Sequence, residues 1–302
     1  MTDLATMLSA PFMQQAVLAL VLVSTIAAFV GVLLNLRDLE FVSDGLVHAV
    51  FPGVVIGFVT AGVDGVYLGA IVAAVIGTVL LTFAARRGLG EDAATAVLLA
   101  GAFAIGIVIV SRTTRYSSGV EQLLFGQLLT VGRDDLLAIG VLGGLALVIV
   151  LATWKEQVLV AFDRTAAAAT GMRVVVYELA LNLAIALVVV AASRAIGNLL
   201  VLALLIVPAA VGRLVSRRLG VVVAVALAVP VLTGPFGLAL AYWLSVDARL
   251  QISPSALVVL VLVGVYLVVA ATTTLGRRLR RDREPTASEP PATTSLAEVV
   301  RP

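Results

Sequence analysis

Nine apolar stretches separated by short polar breaks run along the chain, at roughly 12–34, 44–63, 65–85, 94–110, 135–153, 174–193, 195–212, 219–243 and 254–275. A helix needs about 20 mostly apolar residues to cross the hydrocarbon core of a bilayer, and the stretches are about that long. The breaks read "RDLE", "RRGLGED", "SRTTRYSS", "GRDD", "WKEQ", "RLVSRRLG" and "SVDARLQISP". The pattern predicts an all-α, polytopic bundle of transmembrane helices. The second stretch opens on polar residues and contains Pro52 and Gly53. Eight full spans and one interrupted span therefore fit nearly as well as nine.

Composition removes the soluble alternative. Of 302 residues, 61% are hydrophobic and 13% charged, with a mean hydropathy of +1.15; an ordinary soluble domain is about half apolar and about a quarter charged. The absence of cysteine excludes a disulfide framework, a thiolate metal site and thiol redox chemistry. The net charge of +2 comes largely from arginines at helix ends and does not argue for nucleic acid. The first stretch is too long for a signal peptide, and it lacks a basic start and a clear cleavage site, so it reads as a span. Residues 1–275 form the transmembrane domain. Residues 276–302, "GRRLRRDREPTASEPPATTSLAEVVRP", cannot bury a core and are expected to be a disordered cytoplasmic tail.

Charge also gives the orientation. With the N-terminus outside and nine crossings, only Arg112, Arg115, Arg133, Arg194 and Arg249 of the 20 basic residues fall outside. The positive-inside rule therefore prefers N-out and C-in.

Within the second stretch, "FVSDGLVHAVFPGVVIGF", stand Asp44 and the single histidine of the chain, His48. Spaced i, i+4, they share one face of a helix, one turn apart. A carboxylate oxygen and an imidazole nitrogen suit zinc, manganese or iron(II). One chain supplies only two ligands. Two copies meeting at a two-fold axis would supply four. The plainer alternatives are that Asp44 caps a helix starting there and that His48 is a satisfied buried histidine. An ionisable group inside a membrane segment is costly, which weighs toward function.

At this point a resemblance enters. "LRDLEFVSDGLVHAVFPGVVIGFV" resembles the signature of the permease subunits of zinc/manganese/iron ABC importers, on Ser43, Asp44, Gly45, Leu46, His48, Ala49, Pro52 and Gly53. "QLLFGQLLTVGRDDL" (122–136), "AFDRTAAAATGMRV" (161–174), "AIGNLLVLALLIVPAAVGRL" (195–214) and "ISPSALVVL" (252–260) follow in the family's order. Gln127 stands where aspartate is frequent, and Ser253 and Ser255 flank Pro254 where glycine is usual. The resemblance implies a type II-like importer permease, paired with a second permease copy, a separate cytoplasmic ATPase and an extracellular metal-binding protein. It places Asp44 and His48 in the metal path. No cofactor would be held permanently; zinc or manganese, with iron also accommodated, would be the cargo.

The break between the fifth and sixth stretches contains "DRTAAAATG". It reads as a short helix with Asp163 as N-cap and Gly171 at its end. With the family resemblance, Phe162, Asp163, Ala167 and Gly171 become ATPase-coupling residues; without it, an ordinary interfacial loop is equally good. Pro52 and Pro208 lie inside apolar helices and are hinge candidates, against the plainer reading of static kinks. Glu178 and Arg194 are expected to snorkel or pair, and Asn182 and Asn198 to glue helices. No G-x-x-x-x-G-K-[ST] run occurs, so this chain is not expected to hydrolyse nucleotide. The alternative function is an ion-coupled secondary transporter, with Asp44 and, distantly, Glu178 as its only coupling carboxylates. A membrane metallohydrolase lacks the further base it would need.

Overall fold

The computed structural model describes residues 10–62, 65–112, 126–246 and 252–281, and all nine expected spans are helices in it. In chain order they are α1 (Pro11–Leu36), α2 (Glu40–Ala61), α3 (Gly65–Ala84), α4 (Glu91–Ser111), α5 (Arg133–Ala152), α8 (Val174–Ile196), α9 (Asn198–Val215), α10 (Leu219–Val246) and α11 (Pro254–Arg281). Two shorter helices, α6 (Trp154–Phe162) and α7 (Arg164–Ala169), lie between α5 and α8. No strand occurs among the described residues. Helices satisfy their own backbone, which a lipid core requires. The segments 113–125 and 247–251, which hold parts of two polar breaks, lie outside the described residues; of the expected tail, 276–302, residues 276–281 continue α11 and the rest lies outside them too.

With nearly every side chain apolar, size decides which helices approach. α1, α2 and α8 form the buried centre, while α4, α10 and α11 are mostly uncovered. α2 packs against α3 and α4, and α1 against α9 and α10. The α2–α3 contact is made backbone to backbone. A Cβ on Gly53 would lie 2.2 Å from the carbonyl oxygen of Gly69, and one on Gly57 2.1 Å from that of Gly65. Gly53/Gly57 and Gly65/Gly69 are two small-xxx-small pairs facing each other, the spacing that lets membrane helices touch.

Two points left open by the sequence are decided. α2 is not interrupted: it runs from Glu40 through Pro52 to Ala61. The break after α5 is not loop alone, since "WKEQVLVAF" folds as α6 before the expected short helix α7. No glycine or proline stands between Trp154 and Thr170 to stop it.

The α1–α2 elbow is tucked into protein. Asn35, Leu39, Val42 and Ser43 are buried. Asp38 takes φ +54°, a left-handed conformation that aspartate tolerates better than most residues. Arg213 of α9 donates from Nη1 to the Asn35 carbonyl at 2.6 Å and to Asn35 Oδ1 at 3.0 Å, and Asn35 Nδ2 donates to Glu40.

Candidate functional site

Because α2 begins at Glu40, Asp44 stands in its second turn and does not cap it. Asp44 Oδ1 and His48 Nε2 are 3.7 Å apart, and their side chains are 37% and 28% exposed. The His48 ring sits edge-on to Phe103 of α4, centroids 5.6 Å apart. Gly45 brings α4 close: a Cβ there would meet Thr95 Cγ2 at 2.4 Å. Further along, Gly106 of α4 receives the Phe51 ring. The pair is thus held on a rigid helix, braced from α4 and open on its other side. Among the described residues no group of three or more His, Asp, Glu or Cys side chains is gathered. One chain therefore offers a cation one carboxylate and one imidazole here, too few to enclose it.

The opening continues along α2. Asp44, His48, Pro52, Ile56 and Thr60 recur every four residues and all are at least partly uncovered. Beyond His48 this stripe borders a nearly apolar groove of about 730 Å³ between α2, α3 and α4. Pro52 has no N–H, so the carbonyl four residues earlier, that of His48, lacks its helical donor. Pro208 does the same for Leu204 in α9, itself continuous from Asn198 to Val215.

The end of the bundle nearest Asp44 is rich in arginine. Here α6 packs on α1, and residues of α6 and α7 share a cavity with the elbow. Asp163 caps α7 as expected, its Oδ1 accepting from the N–H groups of Thr165 and Ala166, both at 2.9 Å. The Ala166 backbone N–H and then the Thr165 hydrogen bond hold the Asp163 carboxyl below the usual carboxylate range. Ala167 is buried against Val160, Met172 and Val174. Gly171 ends the turn with φ +85°. Phe162 projects, 77% exposed. The four residues expected to act together are therefore one compact protrusion, with an exposed aromatic beside a capped helix.

Beneath it is a cavity of about 430 Å³ whose lining includes Arg37, Arg86, Glu91, Arg164, Glu178 and Asn182. Glu178 accepts from Arg86 Nη1 at 3.0 Å and is also paired with Arg164; Arg164 reaches Glu91 at 3.7 Å. Burial pushes the Arg37 guanidinium down to about 10, partly offset by Glu178 and Glu91. At the opposite end, buried Asp135 accepts from Tyr67 Oη at 2.9 Å and from the Gly132 N–H at 3.1 Å, and pairs with Arg194 at 3.4 Å. Gln127 belongs to that end too, its N–H donating to the Ala195 carbonyl. Its place in the sequence pattern thus does not bring it to Asp44.

Glu178 and Arg194 both pair, as expected. Asn182 donates to Thr82 at 3.1 Å and so joins α8 to α3, while Asn198 Oδ1 is buried without a hydrogen-bond partner. The shared acid at Glu178, the Asp135 cluster and the glycine contact of α2 with α3 were not foreseen. Only the last had a local signal, two glycine pairs at four-residue spacing in adjoining helices.

The profile of the ABC 3 transport family matches residues 9–273. A manganese transport system membrane protein, MntC, of Halalkalibacterium halodurans is 32% identical over 73% of this chain and 75% of its own length. A manganese import system permease protein, ScaB, of Streptococcus gordonii is 30% identical over 83% of this chain and 90% of its own. A probable iron transport system membrane protein of Haemophilus influenzae is 28% identical over 77% and 82%. Among solved structures, a chain of PsaBC from Streptococcus pneumoniae in complex with Fab superposes with a TM-score of 0.75 at 26% identity, covering 88% of this chain and 93% of that one. The resemblance carried by Phe41–Phe58 is met along nearly the whole transmembrane domain: the chain is a multi-pass membrane protein and belongs to the ABC 3 transport family.

Proposed function

We propose that the chain is the permease of an ATP-driven importer of a divalent transition metal, manganese first, with zinc and iron(II) as the other cargoes. The observation that carries this is the Asp44–His48 pair on the uncovered stripe of α2. A second permease copy, docked along that stripe, would complete two carboxylates and two imidazoles around the ion. Mixed oxygen and nitrogen ligands without thiolate suit manganese and iron(II), and the imidazoles also accept zinc. Two relatives are named for manganese and one for iron.

The arginine-rich end faces the cytoplasm in this reading, with the N-terminus outside. The α6–α7 protrusion with Phe162 is then the surface on which a separate ATPase docks. An extracellular binding protein delivers the ion to the Asp135 end. Pro52 and Pro208 are the points where α2 and α9 bend. An ion-coupled secondary transporter is the weaker reading, because Glu178, its second candidate carboxylate, is already neutralised by Arg86 and Arg164.

The test is uptake of radiolabelled manganese, zinc and iron, each separately, in cells expressing the chain with its ATPase and binding protein. His48→Ala and Asp44→Ala, at matched membrane abundance, are expected to abolish uptake of one metal. Unchanged uptake in both variants rules the pair out of the ion's path.

A further inference from the structure

Glu178 pairs with two arginines at the end of the bundle that carries α7, and the metal path proposed above does not use it. It stands in the second turn of α8, 11% exposed, and is shared by Arg86, just past the end of α3, and Arg164, in the first turn of α7. Arg164 also reaches Glu91, the first residue of α4. A single junction thus joins the protruding helix α7 to both helices that flank α2. α3 is locked to α2 through the facing glycines. α4 reaches the metal pair directly, through Thr95 on Gly45 and Phe103 on His48.

The junction has a third guanidinium available to it. Arg37, in the elbow that leads into α2, lines the same cavity as Glu91, Glu178 and Arg164. Its Nε and Nη2 are buried and make no hydrogen bond. Two carboxylates therefore face three arginines, of which Arg37 keeps two buried nitrogens without a hydrogen bond. A buried charge is costly without a partner, so withdrawing Arg164 from Glu178 favours Arg37 taking its place. That exchange has two discrete arrangements, which transmission between sites requires.

We propose that Glu178 and Arg164 are positioning residues that transmit movement of α7 to α2, by an exchange in which Arg37 replaces Arg164 as the partner of Glu178. The proposal rests on the reading of α6–α7 as the ATPase-docking surface. Movement of α7 lifts Arg164 away; Arg37 moves onto the freed carboxylate and draws the elbow, and with it Asp44, along.

The experiment uses the permease purified with its ATPase, reconstituted in proteoliposomes with the binding protein, and reads manganese transported per ATP hydrolysed. Glu178→Gln, Arg164→Gln and Arg37→Gln are each expected to assemble and hydrolyse ATP, while the ratio falls by about fivefold or more, the lower edge of ordinary coupling between sites. Arg164→Lys restores most of it. The double variant Arg164→Gln/Glu178→Gln is no worse than either single one. A ratio that stays at the wild-type value, or uptake and hydrolysis that fall in the same proportion, overturns the proposal. If Glu178→Gln does not assemble, Glu91→Gln, which removes only the longer contact, decides on the same ratio. Failure of the underlying reading looks different: the wild-type chain itself does not bind the ATPase or takes up no manganese.

Discussion

At Asp163 the backbone and the carboxylate fix each other. The residue ends α6 in extended conformation, which frees its side chain to accept from the N–H groups of the second and third residues of α7. Those bonds are stronger to the ionised form and hold the carboxyl below its usual range. A depressed acid contributes stability that is fully present above its unfolded value, about 4, and is lost as the pH falls through the lower folded value. Amide exchange at Thr165 and Ala166, corrected for intrinsic rates, should therefore lose protection only at the acid end. Asparagine caps comparably without titrating, so in Asp163→Asn the protection should stay constant across the same range; parallel loss in both proteins would assign the fraying to another group. This residue was legible in the sequence, as was Gly171, because caps and left-handed turns are set by neighbours within a few positions. Glu178 was legible only as a group in need of a partner. Its partner Arg86 stands 92 positions away and is brought to it only by the packing of α3 on α8.

Among the helices, the contact of α2 with α3 is one that no side-chain movement can relieve. The atoms that a Cβ on Gly53 or Gly57 would strike are main-chain carbonyl oxygens, so the helices must separate to accept a methyl group. Overpacking of this kind costs about 1–3 kcal/mol. Gly57→Ala should lower the thermal midpoint of the purified protein in detergent, while Gly264→Ala in α11, where a Cβ meets nothing within 4 Å, should not. Equal midpoints for the two variants would mean that the contact yields freely. The nine spans themselves followed from run length and hydropathy, since a bilayer admits few alternatives. α6 did not, because its nine residues are too short to cross and three of them, Lys155, Glu156 and Gln157, are polar. The continuity of α2 through Pro52 was left open: proline costs a helix one hydrogen bond, but the glycine contact with α3 and the Gly106 pocket for Phe51 hold both halves in line.

For the molecule as a whole, the uncovered stripe of α2 is the feature that a single copy leaves unexplained. Asp44 and His48 offer a cation two ligands, and among the described residues nothing else in the chain completes them. The same stripe continues through Ile56 and Thr60. If two copies close around the ion, these positions approach their counterparts across a two-fold axis, as an isologous interface demands. The chain has no cysteine, so one can be introduced without background. Ile56→Cys and Thr60→Cys, each in the permease–ATPase complex in membranes, should form a dimer on mild oxidation. The cross-link should vanish when the labelled copy is diluted into an excess of cysteine-free chain. Manganese added before oxidation should change the yield in the otherwise native background and not when His48→Ala is also present, because only the intact pair ties the two copies to the ion. Failure of both positions to cross-link would place the stripe against lipid, and the metal would then need ligands from a different partner.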